Sequence, residues 1–156
     1  MKIEKVINGK LNPDLGLNIE GDLYLEGADI TQLPDNLSVK GFLDLRDTEI
    51  TQLPENLNVN GDLFLSGTKI TQLPDDLNVN GGLFLERTNI TNYPVVYDCG
   101  RSKRAIYLDL KDKNIIHIGC FQGTKDQAIE AIKKEYCQEE AEKYIEKVEQ
   151  CFEMVS

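Results

Sequence analysis

The residues of this chain best suited to chemistry are His117 and Cys120, which stand in the spacing H-x-x-C. Such a pair can open a metal site or set a thiol beside an imidazole base. It falls in the short apolar run "NIIHIGCF", which reads as a strand. Positions three apart on a strand point to opposite faces, so the structural reading of the pair is favoured. Cys99, Cys137 and Cys151 form no CxxC pair, His117 is the single histidine, and the thiols are expected to be buried and reduced. The chain contains no G-x-x-x-x-G-K-S/T, G-x-G-x-x-G, H-E-x-x-H or G-x-S-x-G, so nucleotide, dinucleotide, zincin and hydrolase readings have no motif. The expectation is a protein that is not an enzyme, with no catalytic residues, no cofactor and no metal.

What recurs instead is a set of aromatics and carboxylates at fixed spacing. Tyr24, Asp44, Phe64 and Phe84 lie twenty residues apart. Two residues before them stand Asp22, Phe42, Asp62 and Gly82, and two after them Glu26, Arg46, Ser66 and Glu86. If these segments are strands stacked in register, the first set forms one outward column with a pitch of about 4.8 Å. Aromatics serve as anchors in protein interfaces and charges set orientation. The expected partner-binding residues are therefore Tyr24, Asp44, Phe64, Phe84, Asp22, Phe42, Asp62, Arg46 and Glu86. The competing reading is that the aromatics only favour strand formation and stack on one another. A second column, Asp35, Glu55 and Asp75, follows each proline and makes an acidic ridge, either a solvated edge or an imitation of a line of phosphates. Thr31, Thr51, Thr71 and Thr91, with Gln32, Gln52, Gln72 and Asn92, read as ladder-forming columns.

The elements that must carry these columns are repeats. Aligned on Gly21, Gly41, Gly61 and Gly81, each full turn reads G-x-L-x-L-x-x-T-x-I-T-x-L-P-x-x-L-x-V-x, with Ala28 and Tyr93 as exceptions, and the repeat stops after Pro94. An uninterrupted period of this length signals a solenoid. Leu63 and Leu65, like their equivalents in the other turns, have the period-two spacing of a strand with one face buried. Ile70, Leu73, Leu77 and Val59 supply the other inward positions. Pro34, Pro54, Pro74 and Pro94 each remove a backbone donor and extend the preceding residue, so the far side of each turn has no room for a full helix. One turn alone buries too little to fold, and stacking must supply the rest.

The pattern L-x-L-x-x-T-x-I-T-x-L-P resembles the leucine-rich repeat L-x-L-x-x-N-x-L-x-x-L-P, and its length is similar to the short bacterial LPX class of type III secretion effectors. Over residues 17–94 the resemblance implies a right-handed solenoid and a binding habit. Two departures limit it. Threonine at 48, 68 and 88 replaces the asparagine that bonds between turns and has fewer bonds to give. The effectors' ubiquitin-ligase domain is far larger than the tail present here, so no catalytic cysteine is carried over. A generic parallel β-helix remains the rival, because "LNVNGDLFLSG" reads as two successive strands.

An open solenoid needs different ends. Residues 1–16 form the expected N-terminal cap, with an extra strand over the first coil, and residues 95–156 a C-terminal β-β-β-α-α capping module, making the whole an α+β chain. "PVVYDC", "RAIYLDLKD" and "NIIHIGCF" are its strands. Thr124 with Gln127 is a capping box that opens a helix with Ala128, Ile129, Ile132 and Tyr136 on its apolar stripe. A second helix over about 139–152 buries Ala141, Tyr144, Ile145, Val148 and Phe152. The stretch "IIHIGCFQGTKDQAIEAIKKEY" resembles the C-terminal segment of uncharacterised phage and prophage proteins, which implies no activity.

Twenty-seven acidic and 17 basic residues give a net charge of −10, which repels nucleic acid and anionic membranes and favours a protein partner with a basic patch. No signal-peptide core or run of transmembrane length occurs, so a cytoplasmic protein is expected. The functional expectation is a protein–protein interaction module for a host or regulatory protein. The alternative is a phage-encoded acidic inhibitor of a bacterial defence or other nucleic-acid-binding protein.

Overall fold

The computed structural model describes residues 6–99, 104–118 and 121–155. Two compact units divide the chain, Met1–Asn92 and Tyr93–Ser156.

The first unit is a parallel β solenoid with a twenty-residue period. Each turn contributes two short strands, one on either side of its leading glycine. Before the glycines lie β3 (Asn18–Ile19), β5 (Ser38–Val39), β7 (Asn58–Val59) and β9 (Asn78–Val79), which pair in that order. After them lie β4 (Leu23–Tyr24), β6 (Leu43–Asp44), β8 (Leu63–Phe64) and β10 (Leu83–Phe84), paired parallel in a second sheet. In the second sheet the N–H of Leu43 donates to the Asp62 carbonyl at 2.9 Å, while in the first the N–H of Asn58 donates back to the Leu37 carbonyl at 3.0 Å. The two ladders therefore tie every turn to both neighbours.

The corner between the strands explains the glycine. Gly61 N–H donates to the Gly41 carbonyl at 2.9 Å, and a Cβ on Gly61 would stand 2.8 Å from the Gly41 carbonyl carbon and the Phe42 nitrogen. Glycine is required by close backbone approach, since a side chain there has no volume to occupy. Two further corners use the left-handed region: Gly27, Asp47, Gly67 and Arg87 at φ from 53° to 75°, and Asn36 and Asn56 at 62° and 53°. Inside, Leu43, Leu45, Leu63, Leu65, Ile50, Ile70, Leu57 and Val59 are fully buried. Leu77, expected inside, is half-buried. Thr48, Thr68 and Thr88 are buried too, and each hydroxyl donates to the carbonyl three residues earlier at 2.7–2.8 Å. Each threonine hydroxyl thus bonds within its own turn. Links between turns come instead from Asn78 to Asn58 at 2.7 Å and Asn80 to Asn60 at 3.2 Å, and from Asn92, whose amide both accepts from Leu73 N–H and donates to its carbonyl.

At the N-terminus the chain forms a hairpin of β1 (Val6–Ile7) and β2 (Lys10–Leu11), closed by Asn8 and Gly9 at φ 49° and 73°. Lys10 makes an isolated parallel bridge to Gln32.

The second unit, among the described residues, is a four-stranded antiparallel sheet followed by two helices, in the order β11 (Val95–Cys99), β12 (Arg104–Leu108), β13 (Ile115–Ile118), β14 (Phe121–Thr124), α1 (Lys125–Glu135) and α2 (Gln138–Glu153). The sheet has one strand more than expected, because the apolar run after residue 114 divides between β13 and β14. Thr124 caps α1 with the expected box: its hydroxyl accepts from Gln127 N–H, and the Gln127 side chain accepts from Thr124 N–H. Ala128, Ile132, Ala141, Tyr144, Val148 and Cys151 pack on Val96, Ile106, Leu108 and Ile116 of the sheet. No helix among the described residues is long and apolar enough to cross a membrane.

Replacing Gly61 with Ala is expected to destabilise the protein by about 1–3 kcal/mol in urea unfolding, as overpacking against backbone does. Gly21→Ala, where a Cβ meets nothing within 4 Å, should change stability by less than about 0.5 kcal/mol.

Candidate interaction face

The outward side of β4, β6, β8 and β10 carries the column in its expected register, with Tyr24 opposite Asp44, Asp44 opposite Phe64, and Phe64 opposite Phe84. Tyr24 is 55% exposed; Phe42, Phe64 and Phe84 are half-buried.

Asp44 is not a solvent-facing member of this column. It is 1% exposed, and Arg46 folds back along the same strand face to grip it, Nε to Oδ1 at 2.9 Å and Nη2 to Oδ2 at 2.6 Å. Strand positions two apart share a face, and a buried carboxylate must be paired, so the Asp44–Arg46 spacing leads to this closure. The same guanidinium reaches Glu26 at 3.2 Å and lies 5.4 Å from the centre of the Phe64 ring.

Phe42 closes the gap that Asp44 leaves. Its ring lies 4.7 Å from Tyr24 and 5.9 Å from Phe64, edge to face in both cases, and Phe64 stacks on Phe84 at 4.6 Å. The aromatic column is therefore one unbroken stripe that steps sideways at the second turn. Gly82 gives Phe84 its place, since a Cβ there would meet that ring at 3.0 Å.

The flanking carboxylates have two uses. Asp22 accepts from Phe42 N–H at 3.0 Å and Asp62 from Gly82 N–H at 2.7 Å, so each holds the following turn with one oxygen. Glu86 accepts from the Ser66 hydroxyl at 3.1 Å. The cations Lys40, Arg46, Lys69 and Arg87 are each ion-paired to Glu20, Asp44 and Glu26, Glu49, and Asp47 respectively. Among the described residues Asp22, Asp62 and Glu86 have no ion pair. The face is thus a ring-lined stripe with uncompensated negative charge on both borders.

The acidic ridge lies elsewhere on the solenoid. Asp35, Glu55 and Asp75 are exposed, and Asp35 accepts from Glu55 N–H at 3.0 Å. Asp35 and Glu55 line an open depression of about 610 Å³ with Glu49, Thr51 and Gln52.

In the second unit, His117 pairs with Asp109, Nε2 to Oδ2 at 2.8 Å, and stacks on Tyr107 at 5.0 Å. Burial works to raise the Asp109 carboxyl, but the bonds from His117 and from the Lys111 and Asp112 N–H groups outweigh it and hold it below its ordinary value. Asp109 thus anchors the turn between β12 and β13. Cys120, the other half of the H-x-x-C spacing, lies outside the described residues, as does the Cys99 side chain. Cys151 is buried, whereas Cys137, expected inside, is exposed at the N-cap of α2. Among the described residues no group of three or more His, Cys, Asp or Glu is placed to hold a metal ion.

Compared with protein-family models, with curated proteins and with solved structures, the chain has no match.

The Asp44 carboxyl is held below its ordinary value, first by the Arg46 hydrogen bond, against desolvation. Below about pH 4 the unfolded chain takes up a proton at this position that the folded one refuses, so stability falls. The contribution is complete above that pH and disappears as pH drops through the depressed folded value. Asp44→Asn should remove this share of the acid sensitivity and cost about 1–3 kcal/mol at pH 7, read from urea midpoints at pH 3, 4 and 7.

Proposed function

We propose that this chain is a non-enzymatic protein–protein interaction module whose outward strand face binds an intracellular host or regulatory protein carrying a basic patch. The observation that carries this reading is the continuous Tyr24–Phe42–Phe64–Phe84 stripe, bordered by Asp22, Asp62 and Glu86, which no cation among the described residues neutralises. Half-buried and exposed aromatics in contact across four turns, rimmed by charge, have the composition of an interface centre and its border. The net charge argues against direct contact with nucleic acid or membrane. The resemblance to short bacterial leucine-rich repeats adds a fold family with a binding habit. Substituting Tyr24, Phe64 and Phe84 with serine should abolish capture of a partner from cell extract while leaving the circular dichroism unchanged. A partner retained by that variant would sink the assignment.

The ridge favours a second reading, a phage-encoded acidic inhibitor of a nucleic-acid-binding defence protein. Asp35, Glu55 and Asp75 recur one per turn and are exposed, so they can imitate a row of phosphates. Reversing all three to lysine should then abolish inhibition of such a target, and raised salt should weaken it steeply. Inhibition that survives both treatments rules charge mimicry out.

A further inference from the structure

The interaction face has dimensions as well as a charge. Its four rings are separated by 4.7, 5.9 and 4.6 Å, a path of about 15 Å running across the strands. Asp22 and Asp62 stand two residues before the column and Glu26 and Glu86 two after it, about 6.6 Å each way for extended backbone, so the borders are roughly 13 Å apart. An α-helix is about 10–12 Å across with its side chains and covers 15 Å in about ten residues. Its i, i+3 and i+4 neighbours are about 5–6 Å apart, close to the ring spacing. An extended segment laid over the same stripe presents same-side residues about 6.6 Å apart and falls out of step within two rings. The backbone of the inner strands offers nothing to such a strand either. Leu43 and Leu63 N–H groups are taken by the Asp62 and Gly82 carbonyls, and Leu65 N–H by that of Phe84.

We propose that the occupant of this face is an amphipathic α-helix with basic flanks, lying along the stack with its apolar stripe on Phe42, Phe64 and Phe84. This rests on the reading of the face as a protein-binding surface and adds the conformation and charge pattern of what binds. Lysines or arginines on one flank of the helix meet Asp22 and Asp62, and those on the other meet Glu86, with Glu26 shared with Arg46. Both flanks of the helix must be basic, because both borders are acidic. Apolar side chains at i, i+3, i+4 and i+7 fill the spaces between rings.

The test uses the full chain and a labelled peptide of about fourteen residues, with leucine at those positions and lysine or arginine beside them, at about 0.1 M salt. Fluorescence anisotropy should show saturable binding, and circular dichroism a gain of helix on mixing. Phe64→Ser with Phe84→Ser should weaken binding at least about thirtyfold, as loss of central anchors does. Asp22→Asn, Asp62→Asn and Glu86→Gln together keep a side-chain oxygen to accept from Phe42 N–H, Gly82 N–H and the Ser66 hydroxyl, and should weaken it about tenfold. The equally large charge change Asp35→Asn, Glu55→Gln and Asp75→Asn should alter it less than about twofold. A scrambled peptide of the same composition should bind at least about tenfold more weakly.

The inference is overturned if the helical probe fails to bind below about millimolar concentration, if the scrambled peptide binds equally well, or if border and ridge variants weaken it alike. A cellular partner that is lost with the aromatic-to-serine variant yet is not displaced by the helical peptide also overturns it, and leaves the interaction reading standing. A partner kept by the serine variant overturns that reading itself.

Discussion

Everything on this solenoid hangs from the contact of one glycine on the next. Gly41, Gly61 and Gly81 each donate to the glycine carbonyl of the preceding turn at 2.9–3.1 Å, and their Cα atoms sit where a Cβ would enter the neighbouring backbone. That approach sets the corner between the two sheets and pins the register of both. A slip of one residue would turn every leucine of β6 or β8 outward and every aromatic inward. With the corner pinned, side chains twenty residues apart are brought one above the other, and the aromatic stripe, the asparagine links and the ion pairs between turns all follow.

The register also settles where charge is left over. Every cation in the repeats lies close enough to an acid to be paired, most often one turn away, as Lys40 with Glu20 and Lys69 with Glu49 show. Such exposed pairs add little stability each. Their larger effect is on the field: they remove the positive charge from the surface and leave the unpaired carboxylates to define it. The acidity of the proposed interaction face is therefore a product of stacking as well as composition.

The inward pattern was legible because it obeys simple periods. Leucine at alternate positions, isoleucine and valine at fixed offsets, and the Thr124 capping box specify their surroundings without reference to distant residues. What escaped depended on pairs. Burial of Asp44 follows from Arg46 two residues on, and a column read one position at a time does not reveal it. Phe42 stands two residues before the column, and its ring reaches into the stripe beside Tyr24 and Phe64, where Asp44 supplies no ring. The hairpin turn at Asn8–Gly9 carries a recognisable dipeptide signal, but too few strand residues flank it to stand out. Strand β14, "FQGT", has one large apolar residue and a glycine, and is a strand because β13 offers it an edge.

The second turn shows which demand prevailed on the outward face. A column that served only solubility would place Asp44 in water, where a carboxylate costs nothing. Instead the carboxylate is buried, which is tolerable only with the two-pronged grip of Arg46. The aromatic is moved two residues along the strand, and the rings remain in contact across all four turns. An arrangement that accepts a buried charge and still keeps the rings continuous is accounted for neither by strand propensity nor by solubility. The proposed interaction face, which needs an unbroken apolar line turned outward, would account for both.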